Sequence, residues 1–134
     1  MGFLIDTCIW IDVEQGALAP AEISSVTGSE PVYLSPITIA ELKFGAECAL
    51  APAIRQQRLA ALSRLRTRPI VRIDEMTGEI FGSLAAQLKQ SGKTYRPRVQ
   101  DLWLASQALQ HGLTLLTRNM RDFTDIPGLR VASV

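Results

Sequence analysis

Four acidic residues stand where their carboxylates can reach one site. Asp6 directly follows an apolar run at the start of the chain, and Asp122 lies in the loop after a second apolar run. Both runs have the character of buried strands, and ligands bind at the carboxyl edge of a parallel sheet. Glu41 and Asp101 lie in segments with helical spacing. Carboxylates without histidine or cysteine ligands are typical of a site for Mg²⁺ or Mn²⁺ rather than zinc.

Three of these acids also have a purely structural explanation. Asp6 can be the N-cap of the helix that follows it, and Asp101 can be favoured by the dipole at a helix N-terminus. Glu41 can be an ordinary exposed residue, although its neighbours three and four positions away are mostly apolar. The residue pattern leaves these structural roles open beside a shared metal site.

Other kinds of chemistry find no support in the sequence. The single histidine, His111, precedes Gly112 at a predicted helix end, where a cation is favourable for local reasons. No serine or threonine stands beside a base, and no glycine-rich phosphate loop is present. Cys8 and Cys48 lack metal-ligand spacing and are predicted to pack as thiols. These observations exclude acyl transfer and nucleotide binding through a phosphate loop.

Length and composition predict one globular domain spanning residues 1–134. The chain has 47% hydrophobic and 20% charged residues and no low-complexity tract. It lacks the pattern of a signal peptide, and no apolar run approaches the roughly 18 residues of a membrane span. We therefore expect a cytoplasmic protein without a membrane partner.

The elements that must position the acids alternate between strand-like and helix-like segments. Ser35 and Pro36 are typical of a helix start, Asp74 or Thr77 can cap a later helix, and Gly112 is typical of a helix end. This alternation predicts an α/β fold with a mostly parallel central sheet of about five strands. The predicted strands are residues 3–5, 32–34, 70–73, 113–116 and 129–132.

Positive charge is concentrated in two segments, although the formal net charge is only +1. Residues 55–72 contain six arginines and residues 89–98 contain four basic residues, in both cases without an acid. Such segments are either solvated helix faces or an electrostatic footprint for nucleic acid. The pattern alone leaves both possibilities open.

Three blocks of the sequence occur together in a recognisable order. They are FLIDTCIWI at the start, LSPITIAELKFG in the middle and QDLWLASQALQHGLTLLTRNMRDF near the end. In order and approximate spacing they resemble the PIN domain family, and most closely the VapC-like toxins of bacterial toxin–antitoxin modules. The resemblance covers nearly the whole chain. It implies a three-layer α/β/α fold and an endoribonuclease that depends on Mg²⁺ or Mn²⁺.

The resemblance assigns catalytic roles to the same four acids. Cys8 departs from the family, which frequently has Asn or Ser there, and of two family positions for the last acid only the second is acidic here. The implied catalytic residues are Asp6, Glu41, Asp101 and Asp122, of which the first three bind metal, while Thr7, Thr117 and Asn119 support them.

The resemblance also implies partners. These are an RNA substrate such as tRNA or ribosomal RNA, a cognate antitoxin that covers the acidic groove, and a second copy of the chain in a homodimer. Two alternatives remain: a PIN-type nuclease of RNA processing or DNA metabolism, and a non-catalytic domain that binds nucleic acid or a partner. The intact acids favour a nuclease. The predicted RNA contacts are Arg64, Arg66, Arg68, Lys93, Arg96 and Arg98.

Overall fold

The structure is a computed structural model that describes all residues from 1 to 134. The chain forms four strands and six α-helices, together with the 3₁₀ helices Arg96–Arg98 and Met120–Asp122. The strands are β1 (Phe3–Ile5), β2 (Val32–Tyr33), β3 (Thr114–Thr117) and β4 (Val131–Ser133). The helices are α1 (Thr7–Glu14), α2 (Pro20–Thr27), α3 (Pro36–Glu47), α4 (Pro52–Leu65), α5 (Glu75–Gln90) and α6 (Val99–His111).

All four strands are parallel and lie in the order β2-β1-β3-β4. The central strands β1 and β3 pair through Leu4 and Leu115. Just beyond β1, the N–H of Asp6 donates to the carbonyl of Leu116 at 2.9 Å, which extends the ladder to the carboxyl edge. The predicted α/β fold with a parallel sheet is therefore confirmed, and Asp6 lies at the edge where ligands bind in such sheets.

The sheet divides the hydrophobic core into two parts. On one face, Leu4 packs in a cluster that includes Leu84 of α5 and Leu102 of α6. On the other face, Ile5 packs in a cluster that includes Ile9 of α1 and residues of α2. Helices cover both faces, which confirms the three-layer α/β/α arrangement. None of the helices has the length and apolar character needed to cross a bilayer.

The predicted fifth strand, residues 70–73, is wrong, because the sheet has four strands rather than about five. Ile70 forms only an isolated bridge to Leu34, just after β2. The N–H of Val71 donates to the Leu34 carbonyl at 2.9 Å, and the Val71 carbonyl accepts from Nε2 of Gln107 at 2.7 Å. The buried side chain of Gln107 in α6 thus donates to the Val71 carbonyl at the point where a longer strand would continue.

The helix ends follow the predicted sequence signals. Ser35 caps α3 through its hydroxyl, and Pro36 occupies the first helical position. Asp74 caps α5, while Thr77 lies inside the helix and donates back to the Asp74 carboxylate. Gly112 ends α6 with φ of 64°, a left-handed conformation that glycine adopts without strain.

Candidate active site

Asp6 links β1 to α1, because it follows the last residue of β1 and is the N-cap of α1. As N-cap of α1 it accepts at Oδ1 from the N–H of Thr7 at 2.8 Å. Its other oxygen, Oδ2, accepts from the hydroxyl of Thr117 at 2.8 Å, and Thr117 is the last residue of the neighbouring strand β3. Asp6 is only 7% exposed. Two strands and one helix therefore fix the orientation of this carboxylate at the carboxyl edge of the sheet.

Glu41 reaches the same edge from α3. The Thr7 hydroxyl donates to Oε1 of Glu41 at 3.0 Å, and the hydroxyl of Thr38 lies 3.0 Å from the same threonine oxygen. The sequence pattern does not single out Thr38, although it lies three residues before Glu41 on the same side of the helix. Burial raises the pKa of Glu41; the Thr7 hydrogen bond opposes this rise, and the charge of Asp6 adds to it.

Asp101 faces the other acids from the first turn of α6. It is partly buried, and its carboxylate receives no hydrogen bond from the protein. Burial raises the pKa of Asp101 from 3.8 to about 6; the charges of Asp6, Asp122 and Glu41 add to the rise, while Arg98 opposes it. Asp101 thus experiences the charges of all three other acids. We call these four carboxylates the acid cluster.

Asp122 is exposed in the 3₁₀ helix that follows β3. Its backbone carbonyl accepts from Nη2 of Arg98 at 2.7 Å. Asn119, at the start of this loop, donates its backbone N–H to the Thr117 hydroxyl at 3.0 Å. The supporting residues Thr7, Thr117 and Asn119 are therefore all in contact with the acids or with the loop that carries one of them.

Cys8 borders the acid cluster, with its Sγ 3.4 Å from Oδ2 of Asp6 and 3.9 Å from Oγ1 of Thr117. Burial raises the pKa of the Cys8 thiol to about 11. The thiol is therefore protonated at neutral pH, and it contributes a weak donor to Asp6 rather than a thiolate ligand.

The residues predicted to contact RNA have different surroundings. Arg98 binds both carboxylate oxygens of Asp125 at 2.8 Å, which holds the pKa of Asp125 well below its usual range. Lys93 pairs with the same carboxylate at 3.0 Å. Two of the six predicted cations, Lys93 and Arg98, are thus paired with an acid. The other four, Arg64, Arg66, Arg68 and Arg96, are exposed.

A groove with a cavity volume of about 960 Å³ runs between α1, α2 and α4. Trp10 lines the groove, and the guanidinium of Arg68 lies 5.3 Å from the centroid of its ring. Nε1 of Trp10 is the one buried side-chain nitrogen or oxygen without a hydrogen-bond partner. Buried donors are normally paired, so the indole of Trp10 holds an unsatisfied donor inside the protein.

The donor chemistry of the acid cluster fits a divalent cation. Mutual repulsion contributes to the raised pKa values of Asp101 and Glu41, and a cation would relieve it. The donors are oxygens, which suit Mg²⁺ and Mn²⁺. In the geometry of this structure, no three His, Cys, Asp or Glu side chains lie close enough together to hold a metal ion. The fit is therefore one of charge and donor type rather than of a preformed cage.

The fold and the acid cluster define the class of protein. The family model of the PIN domain matches residues 3–129, and the chain belongs to this family. It is 30% identical to Ribonuclease VapC1 of Rickettsia felis, over 100% of this chain and 97% of that protein. It is 33% identical to the tRNA(fMet)-specific endonuclease VapC of Salmonella typhimurium, over 73% of this chain and 71% of that protein.

A solved structure shows the same relationship. The structure of DNA-bound VapBC from Salmonella typhimurium matches with a TM-score of 0.84 and 29% identity, covering 99% of this chain and 98% of that chain. These similarities confirm the family predicted from the three sequence blocks, and they also confirm its VapC-like character.

Proposed function

We propose that this protein is a Mg²⁺- or Mn²⁺-dependent endoribonuclease that acts as the toxin of a toxin–antitoxin pair and cleaves structured RNA such as tRNA or ribosomal RNA. The observation that carries the proposal is the environment of Asp101, a partly buried carboxylate with no protein donor and three acids around it. A carboxylate in such surroundings is stabilised by a cation. Relatives named as ribonucleases support RNA as the substrate.

The ion, when bound, neutralises charge on the scissile phosphate and makes water a usable nucleophile near neutral pH. Asp6, Glu41 and Asp101 would hold it, and Asp122 would complete the catalytic set. The remaining chemistry belongs to the protein, whose task is to keep these carboxylates oriented before RNA arrives.

Two threonines provide this orientation. The N–H of Thr7 and the hydroxyl of Thr117 hold the two oxygens of Asp6. The hydroxyl of Thr7 holds one oxygen of Glu41, which leaves Oε2 to bind a second ion or to orient water. Such supporting contacts typically account for 10- to 100-fold in metal affinity or activity.

RNA would be bound through its phosphates by the exposed arginines Arg64, Arg66, Arg68 and Arg96, with Lys93 and Arg98 contributing where they are released from Asp125. This binding should weaken steeply with added salt, because each neutralised phosphate releases counterions. The RNA-binding role of all six residues remains a prediction.

A cognate antitoxin is the second proposed partner. The matching Salmonella structure is a VapBC complex bound to DNA, which supports an antitoxin for this chain. We propose that a segment of the antitoxin lies in the groove beside Trp10, four residues after Asp6, and that its tail continues to the acid cluster. A second copy of the chain would cover the exposed apolar residues Phe44, Leu50 and Ile54.

The test of catalysis is cleavage of a mixed pool of tRNA and ribosomal RNA by the purified chain. We expect fragments with Mg²⁺ or Mn²⁺, no fragments with EDTA, and a loss of at least about 100-fold in Asp101→Asn. Glu75→Gln is the matched control, because Glu75 is an exposed acid at the start of α5 and should leave the rate unchanged.

Cleavage that persists in EDTA, or an Asp101→Asn variant as fast as wild type, would contradict the proposal. Binding of RNA without cleavage under all metal conditions would favour the non-catalytic alternative. Cleavage of DNA in preference to RNA would favour a nuclease of DNA metabolism.

A further inference from the structure

The guanidinium of Arg98 joins two acid-bearing parts of the site. Arg98 directly precedes α6 and stands three residues before Asp101. Its Nη1 and Nη2 donate to the two carboxylate oxygens of Asp125, each at 2.8 Å. The side chains of this ion pair are only 20% and 23% exposed. A paired, largely covered arginine of this kind has a defined orientation, because both of its terminal nitrogens donate to the same carboxylate.

The same guanidinium also holds the loop of Asp122. Nη2 of Arg98 donates to the Asp122 carbonyl at 2.7 Å, across 24 residues of sequence. The other backbone hydrogen bonds of this loop are local, such as the bond from the N–H of Asp122 to the carbonyl of Asn119 at 3.0 Å. Arg98 therefore connects the start of the Asp101 helix to the Asp122 loop through polar contacts that the loop does not make by itself.

We propose that Arg98 and Asp125 are a positioning pair that fixes Asp122 relative to Asp101, so that the acid cluster can bind its cation. The inference rests on the function proposed above. It assigns Arg98 a role different from the predicted RNA contact, since its donors are directed to Asp125 and to the Asp122 backbone.

A competing explanation is that hydrophobic packing alone holds the loop. Phe123 is 1% exposed and Ile126 is 5% exposed, and both belong to the core cluster beneath the sheet. If this packing fixes Asp122 as well, removal of Arg98 should leave the site intact. The two explanations give opposite signs for the effect on cation binding.

The sign follows from electrostatics. Arg98 is a cation near the acid cluster, so its removal without structural change should strengthen binding of a divalent cation. If Arg98 positions the acids, its removal should instead weaken binding. We expect Arg98→Ala to reduce the affinity for Mn²⁺ about tenfold, the usual scale for partners that orient metal ligands. The measurement is a titration of free Mn²⁺ by electron paramagnetic resonance, without RNA.

Lys93 provides the matched control. It pairs with the same Asp125 carboxylate at 3.0 Å and makes no hydrogen bond to Asp122. Lys93→Ala removes one positive charge, as Arg98→Ala does, but it leaves the hydrogen bond from Arg98 to the Asp122 carbonyl in place. We therefore expect unchanged or slightly tighter Mn²⁺ binding. Arg98→Lys keeps the charge but cannot hold both oxygens and the carbonyl in one plane, so we expect only partial rescue. This milder variant also serves if Arg98→Ala does not fold.

A second readout follows the loop itself. In EDTA, hydrogen exchange of residues 119–125 should be faster in Arg98→Ala than in wild type and unchanged in Lys93→Ala. Arg98→Ala that binds Mn²⁺ as tightly as wild type, with unchanged exchange, would overturn the positioning role. If wild type itself binds no Mn²⁺ and cleaves no RNA, the proposed function fails and this inference fails with it. If wild type does both and Arg98→Ala does both equally well, only the positioning role fails.

Discussion

The carboxyl group of Asp101 has a pKa of about 6 in the folded protein, against an ordinary value of 3.8. Between these values the folded state binds a proton more tightly than the unfolded state. The free energy of unfolding therefore decreases as the pH rises from about 4 to about 6, and the stabilisation is absent above that range. Each pKa unit corresponds to about 1.4 kcal/mol, so a rise of about two units would destabilise the folded protein at neutral pH by on the order of 3 kcal/mol before solvent screening reduces it.

We predict that Asp101→Asn raises the free energy of unfolding at pH 7 in EDTA by about 1 to 2 kcal/mol. The difference between variant and wild type should shrink as the pH falls to about 4, where Asp101 is protonated in the folded state. Wild type should gain about 2.7 kcal/mol from Mn²⁺ at a hundred times its dissociation constant, and the variant should gain much less. Urea denaturation from pH 4 to pH 7, with EDTA or Mn²⁺, measures both effects.

A purely helix-stabilising Asp101 would behave in the opposite way. Loss of an acid in the first turn of a helix costs about 0.3 to 1 kcal/mol, so the variant would be less stable than wild type at pH 7. Equal responses to Mn²⁺ would then show that the acids do not share a cation.

Asp6 illustrates which features of the site the residue pattern predicts and which it does not. The rule that ligands bind at the carboxyl edge of parallel strands predicted its position, and the structure places it there. The same residue is also the N-cap of α1, so the structural role left open for Asp6 is confirmed, while its role as a metal ligand stays a prediction. The pair of Arg98 and Asp125 could not be predicted, because two residues 27 apart meet only once α6 and the last loop have packed.

Helix α3 carries Glu41, and its start depends on a second helix. The Ser35 hydroxyl accepts from the N–H of Ile37 at 3.1 Å and donates to Oε1 of the fully buried Gln107 in α6. One hydroxyl therefore both caps α3 and satisfies a buried amide. The position of α3, and with it the position of Glu41, is coupled to α6 through this contact.

We predict that Ser35→Ala lowers the free energy of unfolding by about 2 kcal/mol. Loss of a cap alone typically costs about 1 kcal/mol, and a buried acceptor without its donor adds about 1 kcal/mol or more. Urea denaturation measures the change. Ser25→Ala is the control, because the Ser25 hydroxyl is exposed and bonds only to the Glu22 carbonyl within α2; its effect should stay within about 0.5 kcal/mol.

A double-mutant cycle with Gln107→Leu tests the coupling. If Ser35 acts on Gln107, the effect of Ser35→Ala should be about 1 kcal/mol smaller in the Gln107→Leu background. An identical loss in both backgrounds would show that Ser35 acts only as a cap.

Element prediction succeeded where local signals decide and failed where distant packing does. Ser35, Asp74 and Gly112 mark helix ends by their own chemistry, and the helices end as predicted. Residues 70–73 have the composition of a strand, yet Gln107 binds the carbonyl of Val71 and the segment leaves the sheet. Gln107 lies 36 residues after Val71, so the sequence around residues 70–73 contains no signal of this contact.

The groove between α1, α2 and α4 is the surface at which we propose that the antitoxin binds. We predict that Trp10→Phe, which reduces the aromatic surface lining the groove, weakens antitoxin binding about five- to tenfold, equivalent to about 1 to 1.4 kcal/mol. The free variant should be as stable as wild type or more so. The antitoxin for this test would be sought as the product of a short reading frame that directly precedes this one, and calorimetry would measure its affinity.

Trp103→Phe is the matched control, because Trp103 stacks on Phe81 at 4.3 Å and does not line the groove. It should leave the affinity for the antitoxin unchanged. If Trp10→Phe binds the antitoxin as tightly as wild type, the groove is not the site of the partner.

The strand order β2-β1-β3-β4 has a consequence for synthesis of the protein on the ribosome. The first strand pairs at the centre of the sheet with a strand made much later, and the hydrogen bond between Asp6 and Thr117 joins residues 111 apart. At about 5 to 20 residues per second, some 5 to 20 seconds separate the translation of these two residues. During that interval a nascent chain contains Asp6 and Glu41 but lacks the strand and the helix that complete the acid cluster. The order of the strands therefore delays assembly of the site until β3 has been translated.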